Sequence, residues 1–150
     1  MKDDKIELLI HKLLNKMGLK LDDSKEILLI QIFKFIIVGG IATIIDWIIY
    51  YACYNYFKIN PLISNIISFS ISVIYNYIAS VKWVFDVKKD KSKKRMFIEF
   101  MIFSIIGLVL TELLLLIFIN KLEINKMISK IIATIIVMIF NFITRKKFLE

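Results

Sequence analysis

Four long apolar runs, each close to the ~20 residues a helix needs to cross a hydrocarbon layer of about 30 Å, constrain this chain more than any other feature. Between Phe33 and Phe57 the only charges are Lys34 and Asp46, and between Leu62 and Val81 there are none. Between Met96 and Asn120 stand only Glu99 and Glu112, and between Met127 and Thr144 only Lys130. A soluble helical bundle needs polar outer faces, which these runs lack. The 150 residues are 59% hydrophobic, against roughly 45 to 50% in soluble domains. The chain therefore reads as an all-α, polytopic protein of the cell membrane with four transmembrane helices.

A net charge of +8 would point to nucleic acid in a soluble protein, so the placement of the charges decides. All the basic residues except Lys58, Lys121, Lys126 and Lys130 fall in the N-terminal segment, at the entrance of the first run, within 82–95, or at 145–147. The positive-inside rule then places both termini and the middle loop in the cytoplasm, N-in/C-in. The charge sets topology and meets membrane lipids, and no nucleic-acid partner is expected. Cys53 has no second cysteine to pair with, and His11 has no Cys or His nearby in sequence, so neither metal nor cofactor is expected. The N-terminus lacks a basic stretch followed by an apolar core, and the first transmembrane helix is expected to act as its own insertion signal.

Before the first run, Ile6, Leu9, Ile10, Leu13, Leu14 and Met17 recur at the spacing of one helical face. This predicts an amphipathic interfacial helix on the cytoplasmic leaflet or, alternatively, a helix packed on a neighbouring subunit. Gly18 is a natural stop, and Asp23-Ser24-Lys25-Glu26 a helix start of the capping type. Residues 1–31 read as a cytoplasmic amphipathic segment and 32–150 as the transmembrane domain. Pro61 suits the start of the second transmembrane helix, and residues 86–94 a cytoplasmic loop.

One string occurs twice. Asn76-Tyr-Ile-Ala-Ser-Val-Lys-Trp-Val-Phe85 is echoed 65 residues later by Asn141-Phe-Ile-Thr-Arg-Lys-Lys-Phe-Leu-Glu150. At the same offset Phe35 meets Phe100, Ile59-Asn60 meets Ile124-Asn125, Ile63-Ser64 meets Ile128-Ser129, and Lys82 meets Lys147. Each half holds two helices, so the halves enter from one side as two parallel two-helix repeats with a pseudo-axis along the membrane normal. A cavity between them is the natural place for a substrate.

The polar residues of the runs are few and patterned. Gly39, Thr43, Asp46 and Tyr50 share a face of the first helix, and Asn65, Ser68, Ser72 and Asn76 form a stripe on the second. Ser104, Gly107 and Thr111 lie on one side of the third, with Glu112 beside them. Asp46 and Glu112 fall near mid-membrane, where an ionised acid costs about 2.5–3.5 kcal/mol on insertion scales. Each is either a proton-coupling or sugar-binding carboxylate in a polar cavity, or a hydrogen-bonded acid that joins helices or subunits. Asn76 and Asn141, nearer the cytoplasm, suit sugar hydroxyls or a phosphate, and equally the bridging of helices. Lys82, Arg145, Lys146 and Lys147 at the cytoplasmic mouth suit a lipid phosphate, or act as ordinary anchors with Trp83 and Phe85.

Phe-Lys-Phe-Ile-Ile-Val-Gly-Gly-Ile-Ala-Thr-Ile-Ile-Asp at 33–46, Asn-Tyr-x4-Lys-Trp-Val-Phe at 76–85 and Asn-Phe-x2-Arg at 141–145 together resemble the GtrA family of small four-helix membrane proteins. The resemblance covers about 32–148 and rests on Gly39, Thr43, Asp46, Asn76, Lys82, Trp83, Asn141 and Arg145. Where the family commonly has an arginine just before the tryptophan motif, this chain has Ser80-Val81-Lys82. The resemblance implies association with cell-surface polysaccharide or teichoic acid glycosylation, and movement of polyprenyl-phosphate-linked sugars across the cytoplasmic membrane.

On that basis the substrate-binding residues are expected to be Thr43, Asp46, Ser72, Asn76, Lys82, Glu112, Asn141 and Arg145. Arg145 and Lys82 would hold the phosphate, and the sugar would pass Asn76, Ser72, Thr43 and Asp46. Two other readings stand beside this one: a non-transporting partner that recruits or stabilises a glycosyltransferase, and a small proton-coupled exporter that uses the buried acids. An enzyme is not expected, since no activated nucleophile, metal cluster or phosphate-binding glycine loop is evident. Four short helices make a thin wall for a large headgroup, which favours a homo-oligomer.

Overall fold

The computed structural model describes residues 5–16, 18, 21–87 and 91–150, and every secondary-structure element among them is helical. The elements are α1 (Lys5–Lys16), α2 (Asp23–Tyr51), α3 (Pro61–Ala79), α4 (Lys93–Leu116) and α5 (Lys126–Leu149). Helices α2, α3 and α4 each run on into a wider π-helical turn, at Ala52–Tyr56, Ser80–Val84 and Ile117–Lys121. The four membrane-spanning stretches hold 34, 22, 29 and 22 residues. At 1.5 Å per residue the shortest is about 33 Å long, enough to cross the hydrocarbon, and the first has a turn or more to spare. Their outer faces carry Ile44, Trp47, Ile48, Ile105, Leu108 and Ile135 exposed, as lipid-facing surface requires. The chain is a multi-pass membrane protein.

Three boundaries differ from those read in sequence. Helix α2 starts at Asp23 with Asp22 as its cap residue, and the Asp22 carbonyl accepts from the Lys25 and Glu26 amides. The Glu26 carboxylate does not close a capping box but meets His11 Nδ1 at 2.5 Å. Helix α4 begins before Met96, at Lys93. Helix α5 passes Thr144 and reaches Leu149, because 145–149 contains no breaker and Leu149 is buried.

The chain divides into two compact units, Met1–Val84 and Phe85–Glu150. In the first, α2 packs on α3. The buried face of α3 carries small residues four apart, Ser64, Ser68 and Ser72, continued two turns on by Ser80 in the π-helical turn, and α2 buries Phe35, Val38 and Ala42. Small side chains let two helix backbones approach closely in lipid. The stripe begins at Ser64; Asn65, one position round the helix, is exposed. Three of its hydroxyls turn back to their own chain: Ser64 to Ile59 O at 3.3 Å, Ser68 to Asn65 O at 3.2 Å and Ser72 to Phe69 O at 2.9 Å.

Helix α1 packs on α2 through Ile10, Leu14 and Ile30, with Ile6, Leu21 and Leu29 around them. The apolar face expected as one surface is therefore split: Leu9 and Leu13 remain exposed, and Met17 lies outside the described residues. After the helix, Gly18 takes φ +68° and its N–H donates to Asn15 O, a left-handed position that costs glycine nothing.

In the second unit α4 packs on α5. Met96, Phe100, Ser104 and Gly107, three or four apart, are the buried side of α4, while Ala133, Val137, Phe142 and Leu149 line α5. The loops that follow the π-helical turns of α2 and α4 share their hydrogen bonds. Phe57 N–H donates to Ala52 O and Leu122 N–H to Ile117 O, Ile59 N–H to Cys53 O and Ile124 N–H to Phe118 O. Ser64 and Ser129 hydroxyls donate to Ile59 O and Ile124 O, each at 3.3 Å. Lys58 and Glu123, at corresponding positions, both have left-handed backbones, at φ 54° and 53°.

Candidate polar sites in the two helical units

In the second unit the contact between α4 and α5 holds a cation. Arg145 is 4% exposed. Its Nη2 donates to Ser104 Oγ at 3.0 Å, and its guanidinium carbon lies 3.9 Å from the centre of the Phe100 ring. The ring face is electron-rich, so the stacking is attractive and strengthens as water is excluded. Ser104 Oγ donates in turn to Phe100 O at 2.9 Å, which fixes the hydroxyl as an acceptor for the arginine. One turn from Arg145, the Asn141 amide lies over Gly107. A methyl at 107 would sit 2.8 Å from Asn141 Oδ1 and 3.0 Å from Nδ2, so glycine is there to admit the amide. Asn141 Oδ1 is buried and receives no hydrogen bond among the described residues. Glu112, further along α4, is exposed, and Thr111 donates to Gly107 O at 2.9 Å.

In the first unit Asn76 sits on the buried side of α3, and its Oδ1 accepts from Ser80 Oγ at 3.1 Å. Ser80 is 0% exposed. Lys82, two residues on, lies in the π-helical turn and is exposed. Thr43 is exposed and donates to Gly39 O at 3.0 Å. Asp46 is half-buried, with Oδ1 enclosed and accepting no hydrogen bond among the described residues. A carboxylate oxygen held so, deep in a membrane helix, is costly unless a donor reaches it.

Of the residues expected to bind substrate, Thr43, Asp46, Ser72, Asn76 and Lys82 belong to the first unit and Glu112, Asn141 and Arg145 to the second. Asn141 and Arg145 share one helix contact. Ser72 spends its hydroxyl proton on its own helix, so it has acceptor capacity left to offer. Sequence reasoning did not place Ser80, Ser104 and Phe100 among the site residues, nor foresee the pairing of Lys34 Nζ with Glu7 Oε1 at 2.8 Å. The signal for Ser104 was its place on the polar side of the third run. For Lys34 it was its being the only cation in the first run.

Two helix pairs, a buried arginine near the C-terminal end of the last helix and an amide over a glycine leave the motifs of the sequence in defined places. The family model described as GtrA/DPMS, transmembrane domain, matches residues 34–149. The chain belongs to this family. It is 29% identical over 139 residues to the cell wall teichoic acid glycosylation protein GtcA of Listeria monocytogenes, covering 91% of this chain and 92% of that protein. It is 27% identical over the same length to the protein of that name from Listeria innocua, with the same coverage. The bactoprenol-linked glucose translocase of Shigella flexneri is 29% identical over 76 residues, 51% of this chain and 61% of that protein. No solved structure matches the chain.

Proposed function

We propose that this member of the GtrA/DPMS family carries a polyprenyl-phosphate-linked sugar from the cytoplasmic to the outer leaflet of the cell membrane, for glycosylation of cell-surface polysaccharide or teichoic acid. The observation that carries the proposal is the burial of Arg145 beside Ser104 and Asn141 in a membrane helix contact. A guanidinium stays charged and presents a planar fork of donors that matches two phosphate oxygens. The names of the relatives, a teichoic acid glycosylation protein and a bactoprenol-linked glucose translocase, point to a ligand of that chemistry.

In this reading the termini lie in the cytoplasm, the two helix pairs act as parallel repeats, and residues 1–31 form a cytoplasmic segment ahead of the 32–150 domain. Arg145 receives the phosphate and exposed Lys82 draws anionic headgroups to the mouth. The Asn76 and Asn141 amides, the acceptor oxygen of Ser72, Thr43 and the Asp46 carboxylate exchange hydrogen bonds with sugar hydroxyls along the path. No covalent bond changes, so the protein works as a translocase and not as an enzyme. Glu112, exposed on α4, makes a contact between copies in a homo-oligomer. A glycosyltransferase that consumes the lipid on the far side is the expected partner in the pathway.

The test is reconstitution. Proteoliposomes holding the purified chain should exchange a short-chain polyprenyl-phosphate hexose between leaflets faster than protein-free vesicles. Equal rates would remove the proposal. In that event, loss of surface glycosylation on deleting residues 1–32, together with its survival in Asp46→Asn, would favour the recruiting partner.

A further inference from the structure

The first unit buries a cation of its own. Lys34, on α2, is 6% exposed. Its ammonium lies 2.8 Å from Glu7 Oε1 on α1 and 5.6 Å from the centre of the Trp83 ring in the π-helical turn after α3. Three elements meet at one charged nitrogen. An ammonium withdrawn from water needs an anion close by, and Glu7 is one the chain itself provides. That anion is lightly held. Helix α1 is fastened to α2 by the Ile10–Leu14–Ile30 cluster and by the pair of exposed His11 with Glu26, while Leu8, Leu9 and Leu13 of the same 12-residue helix are exposed. The family match begins at residue 34. The cation thus belongs to the matched domain, and its carboxylate partner to the segment ahead of it.

We propose that Lys34 is an anion-binding site for a phosphate ester, and that Glu7 occupies it as an internal stand-in that the phosphate displaces. This deepens the translocase reading and rests on it for the identity of the ester. The chemistry is an exchange of one oxyanion for another. The three donors of the ammonium turn from carboxylate to phosphate oxygens, Trp83 keeps its ring near the cation, and no uncompensated charge is buried at either stage. Displacing Glu7 loosens α1 from α2, so the N-terminal helix is a brake that the arriving headgroup releases.

Trp83 supplies the readout, since the chain has two tryptophans and Trp47→Phe leaves Trp83 alone. The full chain with that change, in nanodiscs of phosphatidylcholine, is titrated with a short-chain polyprenyl phosphate and, separately, with inorganic phosphate while Trp83 emission is followed. Glu7→Gln should tighten polyprenyl phosphate binding by about tenfold, within the range usual for coupled sites. Lys34→Gln should abolish the response. The double variant Glu7→Gln/Lys34→Gln, an uncharged pair of similar shape, should remain folded and equally silent. An affinity unchanged by Glu7→Gln, a response that survives in the double variant, or a response to inorganic phosphate alone would overturn the proposal. Leaflet exchange separates this from the parent reading. Exchange by the wild type with no effect of Glu7→Gln on affinity sinks the brake alone, whereas tighter binding without any exchange sinks translocation and leaves the site standing.

Discussion

The two helical units treat corresponding positions in opposite ways. Position 34 in the first is a buried lysine paired with Glu7; its counterpart in the second, Glu99, is a carboxylate paired with Lys91 at 3.1 Å and Arg95 at 2.9 Å. Position 80 is a serine, fully buried and bonded to Asn76; its counterpart is Arg145, buried over Phe100 and bonded to Ser104. The helix end that carries Lys82 and Trp83 widens into a π-helical turn, whereas the end that carries Arg145 continues as α-helix to Leu149. Each unit thus buries a cation, one in the contact of α4 with α5 and one between α1, α2 and the turn after α3. Corresponding positions carry unlike charges, so the two units offer an anionic group different contacts.

The comparison breaks first at Arg145. Arg145→Gln should lower leaflet exchange about ten- to a hundredfold, since a hydrogen bond to a charged group, here the phosphate, is worth about 1.5–3 kcal/mol. Arg145→Lys, which keeps the charge and loses the planar fork, should recover only part of it. Both are read in the vesicle exchange assay, with size-exclusion profiles to show that the variants fold.

Next in size is Gly107→Ala. The added methyl meets Asn141 Oδ1 at 2.8 Å, and overpacking of this kind costs about 1–3 kcal/mol. Thermal unfolding in detergent should show the loss, with a fall in exchange of about tenfold as the amide is displaced. The first unit already carries a methyl at the corresponding Ala42, which is buried. There Ala42→Gly should cost about 1–2 kcal/mol, the helix propensity of glycine plus the loss of one buried methyl, and leave Asn76 in place.

A smaller effect is expected at the serine that replaces arginine in the first unit. Ser80→Ala removes one hydrogen bond to the Asn76 amide and should cost about 1 kcal/mol of stability. Smallest of all is Glu112→Gln. That residue is exposed, so exchange per folded protein should stay within about twofold, while the mass of the detergent-solubilised oligomer falls.

Much of this was legible in the sequence, and the residues show why. The four spans follow from run length alone. Asn141 stood out because it repeats Asn76 in a local string, Arg145 because it stands at the exit of the last run, and Gly107 because it fell on the polar side of its helix. What sequence could not show is which way each side chain turns. The stripe read as 65, 68, 72 and 76 is in fact centred on Ser64, Ser68 and Ser72, because a one-residue shift moves the face by 100° and small serines pack where an amide does not. The hydroxyls of Thr43, Ser68 and Ser72 are bonded to their own helix carbonyls, a choice that periodicity cannot reveal. The Lys34–Glu7 pair spans 27 residues and the Arg145–Ser104 bond 41; contacts so distant in sequence leave no local spacing to read.

The central claim is that a phosphate on the carried lipid is held by a buried arginine. The most direct measurement compares leaflet exchange of a polyprenyl-phosphate hexose with that of the same hexose joined to the polyprenol without phosphate, in vesicles holding the wild type or Arg145→Lys. The account predicts rapid exchange of the phosphate lipid by the wild type, sharply slower exchange by Arg145→Lys, and no acceleration of the neutral lipid by either. Equal acceleration of both lipids, or indifference of the phosphate lipid to Arg145→Lys, would contradict it.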